Sequence, residues 1–226
     1  MRRSRVPGSP RQSLDAERDE GDLWGLQLGA GGLVAGVDEA GRGSLAGPVV
    51  AAAVILAPGA VLPGLADSKL LRPPARLRLA EMIHAAATAW AVAAVEAPEI
   101  DATDILRASL RAMGEAVRQL LPQPDLVLVD GNAAPRLSMP VRTVIHGDRL
   151  VPAISAASIL AKVTRDRIME VWGARFPGYG FARHKGYGTA SHRAAIARLG
   201  PSPIHRRTFA GVREHAEGVA FQTRLW

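Results

Sequence analysis

The sequence predicts a mixed α/β fold, in which a five-stranded sheet is flanked by helices and followed by a helical C-terminal end. Short apolar runs bounded by glycine, proline or polar residues are typical of strands, and longer segments carry apolar residues at helical spacing. The order of these elements completes the prediction. Three strands come close together, later strands are separated by helices, and only helices follow.

Each predicted element rests on its own apolar pattern. The predicted strands are at residues 33–37, 48–56, 89–95, 126–129 and 141–145. The predicted amphipathic helices are at residues 74–87, 100–121 and 156–172. The second of these helices ends before Pro122, because proline cannot continue a helix.

The third predicted helix carries an apolar face and a polar face. Ser158, Lys162 and Arg165 share the polar face, which we expect to point away from the core. Such a face is either solvated or leans towards a nucleic-acid duplex. Asp166 lies in mid-helix, and we expect it to be an ion-pair partner rather than a metal ligand.

Length and composition indicate one globular domain with an extension at each end. The chain has 226 residues, of which 48% are hydrophobic, enough to bury one substantial core. We expect a flexible N-terminal extension at residues 1–32 and a globular domain at 33–212. The C-terminal helical part of that domain covers about 190–212, and a tail follows at 213–226.

The charge of the chain suits a polyanionic partner. Its 28 basic and 21 acidic residues give a formal net charge of +7. Only three of the basic residues are lysines. This arginine bias reflects either the base composition of the genome or phosphate binding, for which the planar arginine fork is well suited. From Arg183 onwards there are eight basic and two acidic residues, so positive charge is concentrated near the C-terminus.

The cellular setting is constrained by three further features. The chain has no cysteine, which excludes disulfides and thiolate metal sites. Its longest apolar run, residues 49–57, is far shorter than the roughly 20 residues that span a bilayer. No apolar signal-peptide core follows the N-terminal arginines. We therefore expect a soluble cytoplasmic protein with no membrane partner.

The first predicted strand runs into two acidic residues and a glycine-rich bend, in the segment GVDEAGRGSLAGP at 36–48. Adjacent strand residues point to opposite faces, so Asp38 and Glu39 address one site only if the strand ends or twists there. The glycines that follow supply such a break, and they bare backbone N–H groups. The alternative is an ordinary turn with solvated acids.

Two further carboxylates follow apolar strands. Asp130 ends the strand LVLVD, at the position where open α/β sheets place their sites, and Asp148 comes after the next strand. Asp148 is compatible with a simple turn as well as with a functional role. Four carboxylates without cysteine suit Mg²⁺ or Mn²⁺. Two such ions promote phosphodiester hydrolysis by activating water and stabilising the leaving 3′ oxygen.

Several segments, taken together, make the chain resemble the ribonuclease HII family. They are GVDEAGRG (36–43), ADSK (66–69), LVDGN (128–132), GD (147–148), VPAISAASILAKVTRDR (151–167), HKGYGTASH (184–192) and HRRTF (205–209). Their order and spacing agree from about residue 33 to residue 212. The combination is specific, although no single segment is.

The resemblance implies a ribonuclease H-like sheet with a C-terminal helical substrate-binding part. It also implies that Asp38, Glu39, Asp130 and Asp148 are catalytic residues that bind two Mn²⁺ or Mg²⁺ ions. Enzymes of this family hydrolyse the RNA strand of RNA–DNA hybrids and cut on the 5′ side of ribonucleotides embedded in duplex DNA. They leave a 3′-hydroxyl and a 5′-phosphate, and they serve ribonucleotide removal and genome maintenance.

The resemblance further assigns substrate-binding residues. Gly41, Arg42 and Gly43 would recognise the ribose 2′-hydroxyl at an RNA–DNA junction, and Tyr187 would stack on the sugar. Two positions depart from the family pattern. Ser44 stands where proline is common, and Leu70 where a second lysine is common.

Basic side chains near these motifs are candidates for phosphate binding. Lys69 follows a segment that also reads as a helix cap. Lys185 lies between His184 and His192, and the alternative for all three is an ordinary surface loop.

Residues 203–209, which include the segment HRRTF, are expected to be a structural anchor. Phe209 packs, whereas Arg206 and Arg207 face either solvent or nucleic acid.

Two other functions compete with the ribonuclease HII prediction. One is a different ribonuclease H-like metal nuclease, such as a junction resolvase or a type III ribonuclease H. The other is a non-catalytic basic nucleic-acid-binding module, which has no need of four carboxylates that repel phosphate unless metal ions lie between them. We therefore expect an enzyme whose partners are RNA–DNA hybrid and ribonucleotide-containing duplex DNA.

The assembly of the chain is predicted from the resemblance and from its C-terminal tail. The resemblance implies a monomer. Phe221 and Trp226 in the tail indicate either a sliding-clamp contact or a frayed end.

Overall fold

The computed structural model describes residues 32–65 and 71–216. In these ranges the strands are β1 (Val34–Ala40), β2 (Val49–Leu56), β3 (Ala87–Val95), β4 (Leu126–Asp130) and β5 (Val141–Val144). The helices are α1 (Pro73–Ala86), α2 (Ala97–Ala102), α3 (Ile105–Arg118), α4 (Gly147–Leu150), α5 (Pro152–Arg175), α6 (Phe181–His184) and α7 (Ala190–Leu199). Short 3₁₀ turns lie at Pro177–Tyr179 and Arg213–His215.

The described strands form a mixed sheet in the order β3-β2-β1-β4-β5. β2 is antiparallel to both β1 and β3, whereas β4 is parallel to both β1 and β5. The parallel pairing of β1 with β4 puts their C-terminal ends at the same edge of the sheet. The predicted mixed five-stranded sheet is confirmed, and this edge carries the acidic residues.

Helices cover both faces of the sheet, which explains why β2 is apolar throughout. Seven of the eight residues of β2 are buried. One face packs against α3 through Met113 and Val117. The other face packs against α5 and α1 through Leu160 and Ile83. The position of α5 against the sheet brings its polar residues close to the acidic edge.

The single helix predicted at residues 100–121 is wrong, because the chain forms two helices there. α2 ends at Ala102, and the backbone of the next residue, Thr103, leaves the helical region with φ −128° and ψ −110°. The Asp104 side chain then accepts a hydrogen bond from the Arg107 N–H and caps α3. A capping carboxylate satisfies a free amide of the first turn, so the chain starts a new helix.

The polar face predicted for α5 is only partly correct. Lys162 forms a 2.7 Å ion pair with Asp166, which confirms the expected role of Asp166. Arg165, by contrast, is fully buried and does not point away from the core. Residues 44–48 and the turn after α6 pack over this side of the helix, and they offer oxygen atoms to the guanidinium.

The C-terminal part predicted to be helical at about 190–212 contains one helix and a series of turns. α7 is capped by Thr189, whose side chain accepts a hydrogen bond from the His192 N–H. Beyond Gly200 the chain turns back towards the sheet, and His205 forms a β-bridge with Ala46.

Most residues of the two predicted terminal extensions lie outside the part of the chain that the structure describes. Residues 1–31 and 217–226, which include Phe221 and Trp226, lie outside the described residues. Among the described helices, none combines the length and hydropathy needed to cross a membrane.

Candidate active site

A cleft of about 260 Å³ opens beside the acidic edge of the sheet. Its walls come from the end of β1, from α1, from α5 and from the turn that carries Tyr187. The lining residues are Glu39, Ala40, Gly41, Arg76, Ser158, Ile159, Lys162 and Tyr187. Glu39 and Gly41 were predicted from one segment and Tyr187 from a distant one, and the fold brings all three to this cleft.

Asp38 and Glu39 lie within β1 rather than beyond its end. Pairing with β2 continues to Ala40, so the predicted strand end at residue 37 is three residues too early. The Asp38 carboxylate accepts a 2.7 Å hydrogen bond from the Glu39 N–H. The chain bends only at Gly41, where φ is +97°. Both carboxylates are therefore held on a paired strand beside the bend.

Asp130 and Asp148 come together at the end of β4. Asp130 is the last residue of that strand, and the Asp148 N–H donates a 3.4 Å hydrogen bond to its Oδ1 atom. Asp148 lies in α4 and is buried. The left-handed backbone of His146 starts this turn and directs Asp148 towards β4.

Burial and neighbouring negative charges disfavour the charged forms of Asp38 and Glu39. Burial raises the pKa of Asp38 to about 8; a hydrogen bond from Ser158 opposes this shift, whereas the charges of Glu39 and Asp130 add to it. Burial also raises the pKa of Glu39, although the Arg42 guanidinium, 3.4 Å from its Oε1 atom, lowers it. Partly desolvated carboxylates that repel one another cost free energy unless a proton or a cation lies between them.

The donor set fits a hard divalent cation. Asp38, Glu39, Asp130 and Asp148, which we call the carboxylate cluster, offer only oxygen donors. Within the described ranges, no three acidic or histidine side chains lie close enough together to form a complete metal site. The fit rests on the repulsion among Asp38, Glu39 and Asp130, which a divalent cation would offset.

The bend after β1, residues 41–48, is braced by Arg206. Its guanidinium donates hydrogen bonds to the carbonyls of Gly41 and Arg42, each at 2.7 Å, and to that of Gly47 at 3.1 Å. Arg206 is fully buried, so the expectation that it faces solvent or nucleic acid is wrong. The inward carbonyls of the bend supply the partners that a buried guanidinium requires.

Arg165 braces the same bend from α5. A Cβ atom at Gly41 would lie 2.0 Å from the Arg165 Nε atom, so glycine permits both the backbone angle and this contact. Ser44 connects the two, because its hydroxyl donates to the Gly41 carbonyl at 2.8 Å and accepts from Arg165 at 2.7 Å. The departure from proline at position 44 therefore adds hydrogen bonds to the bend. Gly43 and the Arg42 side chain remain exposed.

Tyr187 faces the cleft from the turn after α6. Its side chain is partly exposed, and its ring centroid lies 5.6 Å from the Lys162 Nζ atom and 5.4 Å from the Arg165 Cζ atom. A β-bridge joins Tyr187 to Ser44. The ring and the glycine bend are thus fixed to each other through backbone pairing.

The predicted phosphate-binding residues divide into three groups. Lys185 lies in an adjoining cavity of about 300 Å³, where it pairs with Glu170 at 2.7 Å. Lys69 lies outside the described residues. His192 is fully buried, so the expectation that it grips phosphate at the surface is wrong. It is covered by the rings of Phe181 and His184.

Two features of the site were missed by reasoning from the sequence. Arg76 lines the cleft from α1, and no local pattern distinguishes it from Arg78, the other arginine of that helix. His205 joins His192 in a buried hydrogen bond, which only the tertiary fold reveals. Its place in the segment HRRTF was the one available signal.

Comparison with known proteins decides the family. A family profile described as Ribonuclease HII matches residues 35–212. The chain belongs to the ribonuclease HII family. Ribonuclease HII of Geobacter metallireducens is 58% identical to the chain over 182 residues, which cover 80% of this chain and 85% of that relative.

Solved structures of this family agree with the fold. Ribonuclease H2 from Pyrococcus horikoshii is 27% identical, with a TM-score of 0.70 over 80% of this chain and 96% of that one. Ribonuclease HII from Archaeoglobus fulgidus, solved as a complex with PCNA, is 28% identical, with a TM-score of 0.67 over 78% and 95% of the two chains. The ribonuclease H-like fold class is therefore confirmed.

Family membership establishes the class of reaction. The chain is a ribonuclease H enzyme, an endoribonuclease that acts on RNA–DNA substrates, and enzymes of this family depend on divalent metal ions. The alternative of a non-catalytic binding module does not hold.

Proposed function

We propose that this enzyme cuts on the 5′ side of ribonucleotides embedded in duplex DNA, as well as the RNA strand of RNA–DNA hybrids, and leaves a 3′-hydroxyl and a 5′-phosphate. The observation that supports this proposal most strongly is the cleft itself. It combines the Glu39 carboxylate, the glycine bend at Gly41 and the ring of Tyr187 in one space. An acidic centre beside a sugar-reading surface suits cleavage at one defined nucleotide.

In this proposal the carboxylate cluster holds two divalent ions, Mn²⁺ or Mg²⁺. When bound, the ions supply Lewis acidity that activates the attacking water and stabilises the leaving 3′ oxygen. Asp38 and Glu39 contribute metal ligands from β1, where pairing with β2 holds their backbone in place. The Asp148 N–H restrains the Asp130 carboxylate through a hydrogen bond, which limits the rotation of that ligand.

Gly41, Arg42 and Gly43 read the ribose 2′-hydroxyl in this proposal. The hydroxyl distinguishes RNA from DNA at a single position. The Arg206 guanidinium ties down the carbonyls of Gly41 and Arg42, so the exposed side of the bend needs little reorganisation when substrate arrives. Tyr187 stacks on the sugar at the junction, and its backbone bridge to Ser44 sets its distance from the bend.

Basic side chains around the cleft bind the phosphate backbone in this proposal. Arg76 and Lys162 line the cleft, and Arg76 also lines the adjoining cavity together with Arg167, Arg183 and Lys185. These basic groups suit a strand whose phosphates repeat along its length, although Asp166 and Glu170 also line the cavity, where they pair with Lys162 and Lys185. Lys69 is a further candidate contact.

The remaining assignments are also proposals. The enzyme acts as a cytoplasmic monomer in ribonucleotide removal and genome maintenance, with its catalytic domain at residues 33–212. The segments at 1–32 and 213–226 are an N-terminal extension and a C-terminal tail outside this domain. A sliding-clamp contact through the tail is supported by the relative from Archaeoglobus fulgidus that was solved with PCNA and by the aromatic residues Phe221 and Trp226.

The test is cleavage of a labelled DNA duplex that carries one ribonucleotide, beside an all-DNA duplex and a uniform hybrid. We expect cutting only with Mg²⁺ or Mn²⁺, on the 5′ side of the ribonucleotide, with a product that a 3′-hydroxyl-dependent polymerase extends. Tyr187→Ala should impair cleavage of the single-ribonucleotide duplex, while the matched Tyr187→Phe keeps the stacking ring and most of the activity. Cutting at other positions, or equal cutting of all-DNA duplex, would refute the proposal.

A further inference from the structure

A chain of hydrogen bonds lies directly behind Tyr187 and has no place in the proposed mechanism so far. It runs from the Ser202 backbone N–H to His205 Nδ1 at 2.8 Å, from His205 Nε2 to His192 Nε2 at 3.0 Å, and from His192 Nδ1 to the Tyr187 carbonyl at 2.9 Å. Both histidines are fully buried or nearly so. The chain therefore links the turn at 202–205 to the backbone of Tyr187.

The hydrogen-bond partners at the two ends determine both histidine tautomers. A backbone N–H only donates, so His205 Nδ1 must accept from Ser202 and the proton of this neutral ring lies on Nε2. A carbonyl only accepts, so the proton of His192 lies on Nδ1 and points at Tyr187. The two assignments meet without conflict, because His205 Nε2 then donates to the free Nε2 of His192.

The surroundings keep both rings neutral and in place. Burial lowers the pKa of His192 to about 4 and that of His205 to about 3. His184 stacks on His192 with ring centroids 4.3 Å apart. The Phe181 ring packs edge-to-face against His192 and lies tilted against His205. The imidazoles therefore cannot move without opening a packed aromatic cluster.

The same turn is anchored to the glycine bend. Gly186 has φ +82°, and a Cβ atom there would lie 2.4 Å from the Ala46 carbonyl oxygen. The Leu45 N–H donates to the Gly186 carbonyl, and the Arg206 N–H donates to that of Leu45. Two rows of contacts thus reach Tyr187, one from the bend and one from the histidines.

We propose that His205 and His192 are positioning residues, which hold the backbone of Tyr187 through a relay of fixed tautomers so that its ring meets the ribonucleotide junction. The proposal rests on the proposed role of Tyr187. The histidines do not touch substrate, and their effect passes through the carbonyl of Tyr187. The relay acts on the recognition of the junction rather than on bond cleavage.

Paired amide substitutions at His192 separate this role from simple packing. Asn places its amide near the position of Nδ1 and still donates to the Tyr187 carbonyl, whereas Gln places its amide near Nε2 and loses that contact. On the single-ribonucleotide duplex, we expect His192→Gln to lower kcat about tenfold and His192→Asn to stay within about threefold of wild type, since small misplacements reduce rates steeply. On the uniform hybrid, where the junction matters less, both losses should be smaller.

A double-mutant cycle provides a second, independent test of the coupling between His192 and Tyr187. In a Tyr187→Ala background the difference between His192→Asn and His192→Gln should vanish, because its target is gone. If His192→Gln does not fold, the pair His205→Gln and His205→Asn replaces it. The Gln variant keeps a donor for His192, and the Asn variant removes it.

The tautomers themselves can be measured without any activity assay. In ¹⁵N NMR spectra at pH 7, we expect the Nδ1–H tautomer for His192 and the Nε2–H tautomer for His205. The opposite tautomers, equal kcat for the two His192 variants, or a difference between them that persists without Tyr187 would overturn the inference. Wild-type protein that cuts the hybrid but ignores the single ribonucleotide would instead refute the proposed function.

Discussion

The carboxylate cluster and the neighbouring recognition region, residues 41–48, 184–192 and 202–206 together with Arg165, satisfy buried polar groups in opposite ways. In the recognition region, the buried guanidiniums and imidazoles have hydrogen-bond partners from the protein itself. In the carboxylate cluster, burial raises the pKa values of Asp38 and Glu39, and neighbouring negative charges add to these shifts. The recognition surface is thus organised by the fold alone, whereas in our proposal divalent cations complete the acidic centre.

The largest effect should follow from removing one charge of the carboxylate cluster. We expect Asp130→Asn to lower kcat by about 10³-fold or more, about 4 kcal/mol in activation free energy, because the amide is a poorer ligand for a divalent ion. Single-turnover cleavage of the ribonucleotide-containing duplex measures this loss. Glu81→Gln, an exposed acid on α1, is the matched control and should cleave like wild type. Equal losses in both variants would contradict a specific role for Asp130.

In the recognition region, by contrast, we expect a substitution to lower the folding stability of the protein. Arg206→Met leaves the carbonyls of Gly41, Arg42 and Gly47 without their donor, and we expect the free energy of unfolding to fall by about 3 kcal/mol. Urea unfolding followed by circular dichroism measures this change. Arg198→Met removes an exposed arginine of α7 and should change stability by less than about 0.5 kcal/mol. An Arg206 variant as stable as wild type would show that the brace is dispensable.

The smallest effect concerns the pH dependence of stability. Burial lowers the pKa of His192 to about 4. Below pH 6.5 the imidazole therefore binds a proton in the unfolded state, but in the folded state it stays neutral until the pH nears 4. This contribution is fully present above pH 6.5 and is lost as pH falls through about 4. Between pH 7 and pH 5, wild type should lose about 2 kcal/mol more stability than His192→Asn, measured by urea unfolding at each pH. Parallel losses would contradict a buried neutral His192.

The sequence predicted the acidic edge well because its signals are local. Each of Asp38 and Asp130 lies at or near the C-terminal end of an apolar strand, and parallel pairing of β1 with β4 brings such ends together. The bend at Gly41 was visible in the glycine spacing. The strand bounds were less exact, because the pairing of Ala40 with Val50 is set by the neighbouring strand and not by β1 itself.

The recognition region could not be predicted because its contacts are long-range. Arg206 and Arg165 have the polar character of surface residues, yet both are buried against carbonyls that lie more than one hundred residues away in the chain. His192 was expected at the surface for the same reason. Helical periodicity reports which face is apolar, but not whether a loop folds back over a polar one.

Equilibrium binding of Mn²⁺ tests the central claim most directly, since it reports on the carboxylate cluster without any substrate. Titration followed by electron paramagnetic resonance counts the bound ions in wild type, in Asp130→Asn and in the control Glu81→Gln. We predict two Mn²⁺ ions in wild type and in the control, and the loss of at least one in Asp130→Asn while the fold is kept. Equal stoichiometry and affinity in all three proteins would contradict the assignment of the cations to this cluster.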